Sequence, residues 1–126
     1  MNERYLFRGK REKDEQWEYG AFWQNNSSII DKSGYSQKVI PETVGQCTGL
    51  KDKNGKWIFE GDIVIDKYSC ERFGFVGVVI YNEKLTQLQI FNKHQPQYVV
   101  NLGNLRDSIR ILGNSIDNPE LLEVER

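Results

Sequence analysis

Thr48-Gly49-Leu50-Lys51-Asp52-Lys53-Asn54-Gly55-Lys56-Trp57-Ile58-Phe59-Glu60-Gly61-Asp62-Ile63-Val64-Ile65 is a series of short apolar runs cut by turn residues. Asn54-Gly55 is the pair most associated with tight hairpin turns, because both residues tolerate positive φ. Trp57-Ile58-Phe59 then reads as a strand, Gly61 interrupts it, and Asp62-Ile63-Val64-Ile65 resumes with β-branched residues. No helical period runs through this stretch. It predicts β structure.

Toward the C-terminus the same grammar continues. Phe73 to Asn82 is the longest apolar run, followed by Leu88-Gln89-Ile90-Phe91 and Tyr98-Val99-Val100. Asn101 to Ser108 suits one helical turn before Ile109-Arg110-Ile111-Leu112. Counted from Asp62, five short strands with a helical turn between the fourth and fifth match the order of a small SH3-like barrel. At the end, Asp117 or Asn118 as N-cap, Pro119 at the first position and Glu120 in the first turn predict a short C-terminal helix.

Toward the N-terminus, Tyr5 to Arg8 alternates before Gly9, Lys13 to Gln16 offers a turn, and Trp17-Glu18-Tyr19-Gly20-Ala21-Phe22-Trp23 returns with period two. A hairpin is expected there, with Trp17, Tyr19 and Ala21 on one face and Glu18 and Phe22 on the other. Residues 24–38 are polar and read as a long loop with one weak strand at Ile29-Ile30. Val39-Ile40 is extended because Pro41 follows. The fold class is therefore mainly β, α+β at most: an N-terminal β-hairpin subdomain (1–60) and an SH3-like small barrel with a short terminal helix (61–126), expected to pack as one compact unit.

Composition fits this reading and narrows the function. The chain has 126 residues, 38% apolar and 12% aromatic, enough to build a core without staples. Its 17 Lys and Arg against 18 Asp and Glu leave a net charge of −1, unlike most phosphate-gripping proteins. The cations nevertheless cluster near the start (Arg4, Arg8, Lys10, Arg11, Lys13), and the tail after residue 113 is acidic. Cys47 and Cys70 form no C-x-x-C pair, and whether they bridge is left open. Neither a signal peptide nor an apolar run of membrane-spanning length is present, so the expected setting is the cytoplasm, away from membranes.

Chemical motifs are sparse. His94 is the only histidine, no zinc spacing exists, and Asp52-Lys53-Asn54-Gly55 departs from a calcium loop in the place of its glycine. No Gly-x-Ser-x-Gly or glycine-rich phosphate loop occurs. Cys47 and His94 form a dyad only if the fold joins them. Glu60 and Asp62 flank Gly61 and would lie about 6.6 Å apart on one face of an extended chain, a spacing compatible with a carboxylate-dependent hydrolase. No catalytic residue, metal ligand or cofactor is expected. Trp17, Tyr19 and Trp23, near Arg8 and Arg11, read first as core, and otherwise as a surface that stacks bases.

Ile40 to Val64, with Phe7-Arg8-Gly9-Lys10, Trp17-Glu18-Tyr19-Gly20 and the ending Gly113-Asn114-Ser115-Ile116-Asp117-Asn118-Pro119-Glu120-Leu121-Leu122, resembles the YopX family. Cys47 departs from the aromatic expected at that place. The resemblance implies a phage- or prophage-encoded protein with a β-rich fold and supplies no mechanism. Gly45, Gly49, Gly55 and Gly61 imply tight turns or close backbone approach in the central motif. The residues expected at an interaction surface are Arg8, Glu18, Gln46, Thr48, Asp52, Glu60 and Asp62. The function expected is a non-catalytic binding or assembly module that contacts a protein partner or its own copies as a homo-oligomer. A nucleic-acid-binding module is the alternative, and the hydrolase a distant one.

Overall fold

A computed structural model describes residues 5–66, 75–96, 100–102 and 108–123. These are mainly β, arranged as two antiparallel sheets. The first contains β1 (Phe7–Lys10), β2 (Trp17–Trp23), β3 (Ser28–Ile30), β4 (Ser36–Lys38), β5 (Gly45–Lys51) and β6 (Trp57–Phe59), in the order β4-β3-β2-β1-β5-β6. The second contains β7 (Asp62–Asp66), β8 (Phe75–Asn82), β9 (Gln87–Phe91), β10 (Val100–Asn101) and β11 (Ile109–Asn114), in the order β10-β9-β8-β7-β11. The chain divides into two compact units, Met1–Gly49 and Leu50–Arg126, with the division falling inside β5. Residues 50–60, grouped by sequence with the N-terminal part, thus belong to the second unit, where Ile58 enters the core.

In the first unit the expected hairpin forms with Phe7 opposite Gly20 and Lys10 opposite Trp17. The Arg11 N–H donates to the Gln16 carbonyl at 2.9 Å, and Asp14 Oδ1 accepts the Gln16 N–H at 3.0 Å. Val39-Ile40 runs extended as expected, with the Ile40 N–H on the Lys10 carbonyl at 2.8 Å. The following 3-10 turn Pro41–Thr43 presents Thr43 Oγ1 to the Lys10 N–H at 2.8 Å. Phe7 and Phe22 meet with ring centroids 5.6 Å apart, while Ile29 and Val39 are fully buried.

Residues 24–38 are not a long loop. After the 3-10 turn Gln24–Asn26, β3 and β4 form a second hairpin around Asp31–Tyr35. The Asp31 N–H donates to the Tyr35 carbonyl at 3.0 Å and Asp31 Oδ1 accepts the Ser33 and Tyr35 N–H groups at 2.9 and 3.0 Å. Gly34 supplies a φ of 88°. The loop Asp52–Lys56 repeats this arrangement bond for bond: the Asp52 N–H reaches the Lys56 carbonyl at 2.8 Å, and Oδ1 accepts from Asn54 and Lys56 at 2.9 Å each. With Gly55 at φ 83° and its N–H on the Asp52 carbonyl at 3.0 Å, this is a type I turn closed by a left-handed glycine. The pair Asn54-Gly55 does mark a turn, but of the longer kind.

In the second unit, Ile58, Val64, Phe75, Val79, Ile90, Leu102 and Ile109 make the buried cluster. Five strands follow the expected SH3-like order, with β7 pairing both β8 and β11. The barrel does not close, however. β10 contributes two residues, paired only with β9, and no ladder joins it to β11 among the described residues. The sheet is open, which corrects the barrel expectation. The C-terminal element is a 3-10 helix, Pro119–Glu123. Its first described bond runs from the Leu121 N–H to the Asn118 carbonyl at 3.1 Å, and the Asn118 side chain turns back to accept the Asn114 N–H at 3.2 Å. Most of the expected helical turn between Asn101 and Ser108, together with Cys70, Phe73, Tyr98, Val99 and Arg4, lies outside the described residues.

Candidate functional site

The residues expected at an interaction surface separate into different roles. Asp52 is 5% exposed and organises its loop. Besides the two N–H groups on Oδ1, its Oδ2 accepts the Ile111 N–H at 3.1 Å, while the Lys53 N–H donates to the Ile109 carbonyl at 2.9 Å. The carboxylate thus holds the loop against β11. Asp62 is 2% exposed, and its Oδ2 accepts the Phe59 N–H at 2.7 Å. Glu60 and Asp62 therefore stand in a tight turn, with Gly61 at φ 92°, and the spacing expected of an extended chain does not apply. Thr48 is buried, and Gln46 and Glu60 are half-buried. Glu18 receives Arg11, with Oε2 2.9 Å from Nε.

Arg8 is only 7% exposed, and its guanidinium carbon lies 4.8 Å from the centroid of Trp17. Lys10 Nζ approaches the same ring at 5.5 Å. These contacts follow from register. Arg8 stands opposite Tyr19 and Lys10 opposite Trp17, so all four side chains share one face of the hairpin. The next rows place Ala21 opposite Ile30 and Trp23 opposite Ser28, with Ser36 and Lys38 one strand further on. The other face carries Phe7, Gly9, Glu18, Gly20, Phe22 and Ile29. The position of a Gly9 Cβ would lie 3.1–3.3 Å from Val44, Val39 and Ile29. That face packs inward.

The aromatic face is open at Tyr19, Ala21 and Trp23, while Arg8 and Ser28 on the same face are buried. Tyr19 is 45% and Trp23 52% exposed, which corrects the reading of these rings as core. Both faces of β2 carry aromatics, and Val39 and Val44 lie against Gly9 on the face that Phe22 shares. Along the face the rings lie on β2, with Arg8 and Lys10 on one side and Lys38 on the other, and no acidic side chain occupies any of its paired positions. Arg11, expected among its cations, is instead engaged by Asp14 at 3.1 Å and by Glu18. Lys38 was missed because its strand read as loop, although Asp31-Lys32-Ser33-Gly34 matches Asp52-Lys53-Asn54-Gly55 almost residue for residue.

A recess lies on the other sheet, between Ile80, Leu85 and Phe91. Its polar groups already engage one another: Asn82 Nδ2 donates to Gln89 Oε1 at 3.2 Å, and Gln89 Nε2 to Asn101 Oδ1 at 3.4 Å. Among the described residues no group of three His, Cys, Asp or Glu is placed to hold a metal ion. No helix among them is long and apolar enough to cross a membrane.

Comparison with known proteins agrees with the architecture. The crystal structure of protein EF1440 from Enterococcus faecalis superposes with a TM-score of 0.52 at 23% identity, over 92% of this chain and 96% of that one. At that identity the likeness concerns the fold. No curated protein matches the sequence. The model of the family described as YopX protein matches residues 2–123, nearly the whole chain, and the chain belongs to the YopX family.

Proposed function

We propose that this chain is a non-catalytic binding module of phage or prophage origin, acting in the bacterial cytoplasm, and that its contact surface is the outer face of the β1–β2 hairpin. The observation that carries the reading is the exposure of Tyr19 and Trp23 on a face whose charged positions are all cationic. Large rings held open to solvent contribute little to folding and much to association. Among the carboxylates singled out by sequence, Asp52 and Asp62 are tied to backbone N–H groups, which favours binding over acid–base chemistry. A protein partner, a second copy of the chain and nucleic acid are the partner classes the sequence leaves open.

The test is a pull-down from cells carrying the tagged chain, run beside the doubly substituted Tyr19→Ala/Trp23→Ala chain, with and without nuclease. A stoichiometric partner held by the parent and lost by the variant supports the reading. A partner retained equally by both moves the contact surface elsewhere and refutes it.

A further inference from the structure

Resting on that reading, we infer that the outer face of the β1–β2 hairpin binds a short stretch of single-stranded nucleic acid, with bases on the β2 rings and phosphates at the flanking lysines.

The geometry of the rows carries this. Trp17, Tyr19 and Trp23 stand on one face along β2, their positions about 6.8 Å apart for two residues and about 13.6 Å for four. Ala21 stands between Tyr19 and Trp23 and leaves the width of a base open there. Stacking needs only a ring's flat face, and with Arg8 and Lys10 over Trp17 the exposed Tyr19 and Trp23 hold about two bases with tolerance of sequence. The cations stand to either side of the rings. Lys10 and Arg8 are one strand away on β1, and Lys38 is two strands away on β4. A chain laid along β2 therefore keeps its phosphates near positive charge on both flanks. Arg8, stacked over Trp17, fixes that ring and raises the local potential.

A protein partner fits the same surface less well. Lysine, serine and alanine are depleted from protein–protein interfaces, and these are the residue types this face places around its rings. Here the outermost cation is a lysine, and beside the rings stand Ser28, Ser36 and Ala21 with a single aliphatic side chain, Ile30. Net charge does not oppose the assignment, because among the described residues no acid stands at a paired position of this face.

The test titrates the full chain into labelled oligothymidylate, oligouridylate and a duplex of mixed sequence, read by fluorescence anisotropy and by quenching of tryptophan emission. Both single strands are expected to bind, with the duplex weaker. Two or three phosphate contacts predict a slope of log affinity against log salt of roughly −1.5 to −2. Trp23→Ala and Tyr19→Ala should each weaken binding about tenfold, while Trp23→Phe, which keeps a stacking ring, stays within about threefold. Lys38→Glu should weaken binding and flatten the salt slope. Circular dichroism checks that these exposed substitutions leave the fold intact. A preference for uridylate would identify RNA, and equal affinities a backbone reader of either kind. The inference is overturned if the parent binds no oligonucleotide at low salt, if duplex binds as well as single strand, or if Trp23→Ala and Tyr19→Ala bind like the parent. If the oligonucleotides fail while the pull-down partner is still lost from the Tyr19→Ala/Trp23→Ala chain, the face binds a protein. If both fail, the face itself is discarded.

Discussion

Asp31 and Asp52 occupy the same place in two loops of nearly identical sequence, yet losing them has different consequences. Asp52 is buried and accepts three backbone N–H groups, one of them from β11, so Asp52→Ala strands all three. We expect it to lower unfolding stability by about 2–4 kcal/mol in a urea titration. Asp31 accepts two N–H groups at the surface, and Asp31→Ala should cost about 1 kcal/mol. Equal losses would refute the docking role given to Asp52. Gly20 tests close approach instead. The position of a Cβ there would lie 2.1 Å from the Ile30 carbonyl oxygen, so Gly20→Ala must push β2 from β3. Its expected cost of about 2–3 kcal/mol is the largest for any added methyl on that hairpin. Gly34→Ala, which meets nothing within 4 Å but stands at φ 88°, carries only the cost of a left-handed backbone, whereas Gly20→Ala carries only the clash.

At the scale of elements, loops here are opened by a side chain that caps its own turn. Asp14, Asp31, Asp52, Asn82, Asn92 and Asn114 each accept at least one N–H from two to four residues onward. Asn92 does more. Its Nδ2 donates to the Val76 carbonyl at 3.0 Å and to the Leu122 carbonyl at 3.2 Å, which ties β8 and the terminal 3-10 helix to the end of β9. Asn92→Ala should therefore cost about 1–3 kcal/mol and speed hydrogen exchange selectively across residues 119–123. Uniform acceleration throughout the chain would show that the tie is not specific. These turns also explain what sequence revealed. Alternation and Gly/Asn punctuation located β1, β2 and β6 through β9, because a turn residue marks at least one end of each strand. The β3–β4 hairpin was hidden because its strands have three residues each and Lys38 and Gln37 carry no apolar signal. Alternation likewise told which residues of β2 share a face, but not which face turns inward. That choice belongs to Val39 and Val44, whose place against Gly9 no local pattern announces. Barrel closure depends on how far β10 extends, and strand count alone does not determine it.

For the whole molecule, each unit buries its own apolar side chains among the described residues. Ile29 and Val39 lie in the first unit, and the cluster around Phe75 and Ile90 lies in the second. Ile29→Ala and Ile90→Ala should each cost about 2–4 kcal/mol by calorimetry, since each empties a fully buried site. Trp23→Ala, which empties none, should change stability by less than about 0.5 kcal/mol. A large loss from Trp23→Ala would mean that the ring supports the fold, and would remove the argument that it is held open for a partner.

The loop around Asn54-Gly55 bears on the protein's chemical lifetime. In flexible peptides this pair ages quickly, because the glycine nitrogen attacks the asparagine amide, expels ammonia and leaves a cyclic imide that opens to aspartate or isoaspartate. Here the Gly55 N–H is committed to the Asp52 carbonyl and the Asn54 N–H to Asp52 Oδ1, so the backbone is held away from the approach that ring closure needs. The folded chain should lose ammonia at this pair far more slowly than the same segment as a free peptide, and Asp52→Ala should close that gap when both are followed by mass spectrometry. The carboxylate that fixes the turn thus also protects the amide two residues along from becoming a new charge.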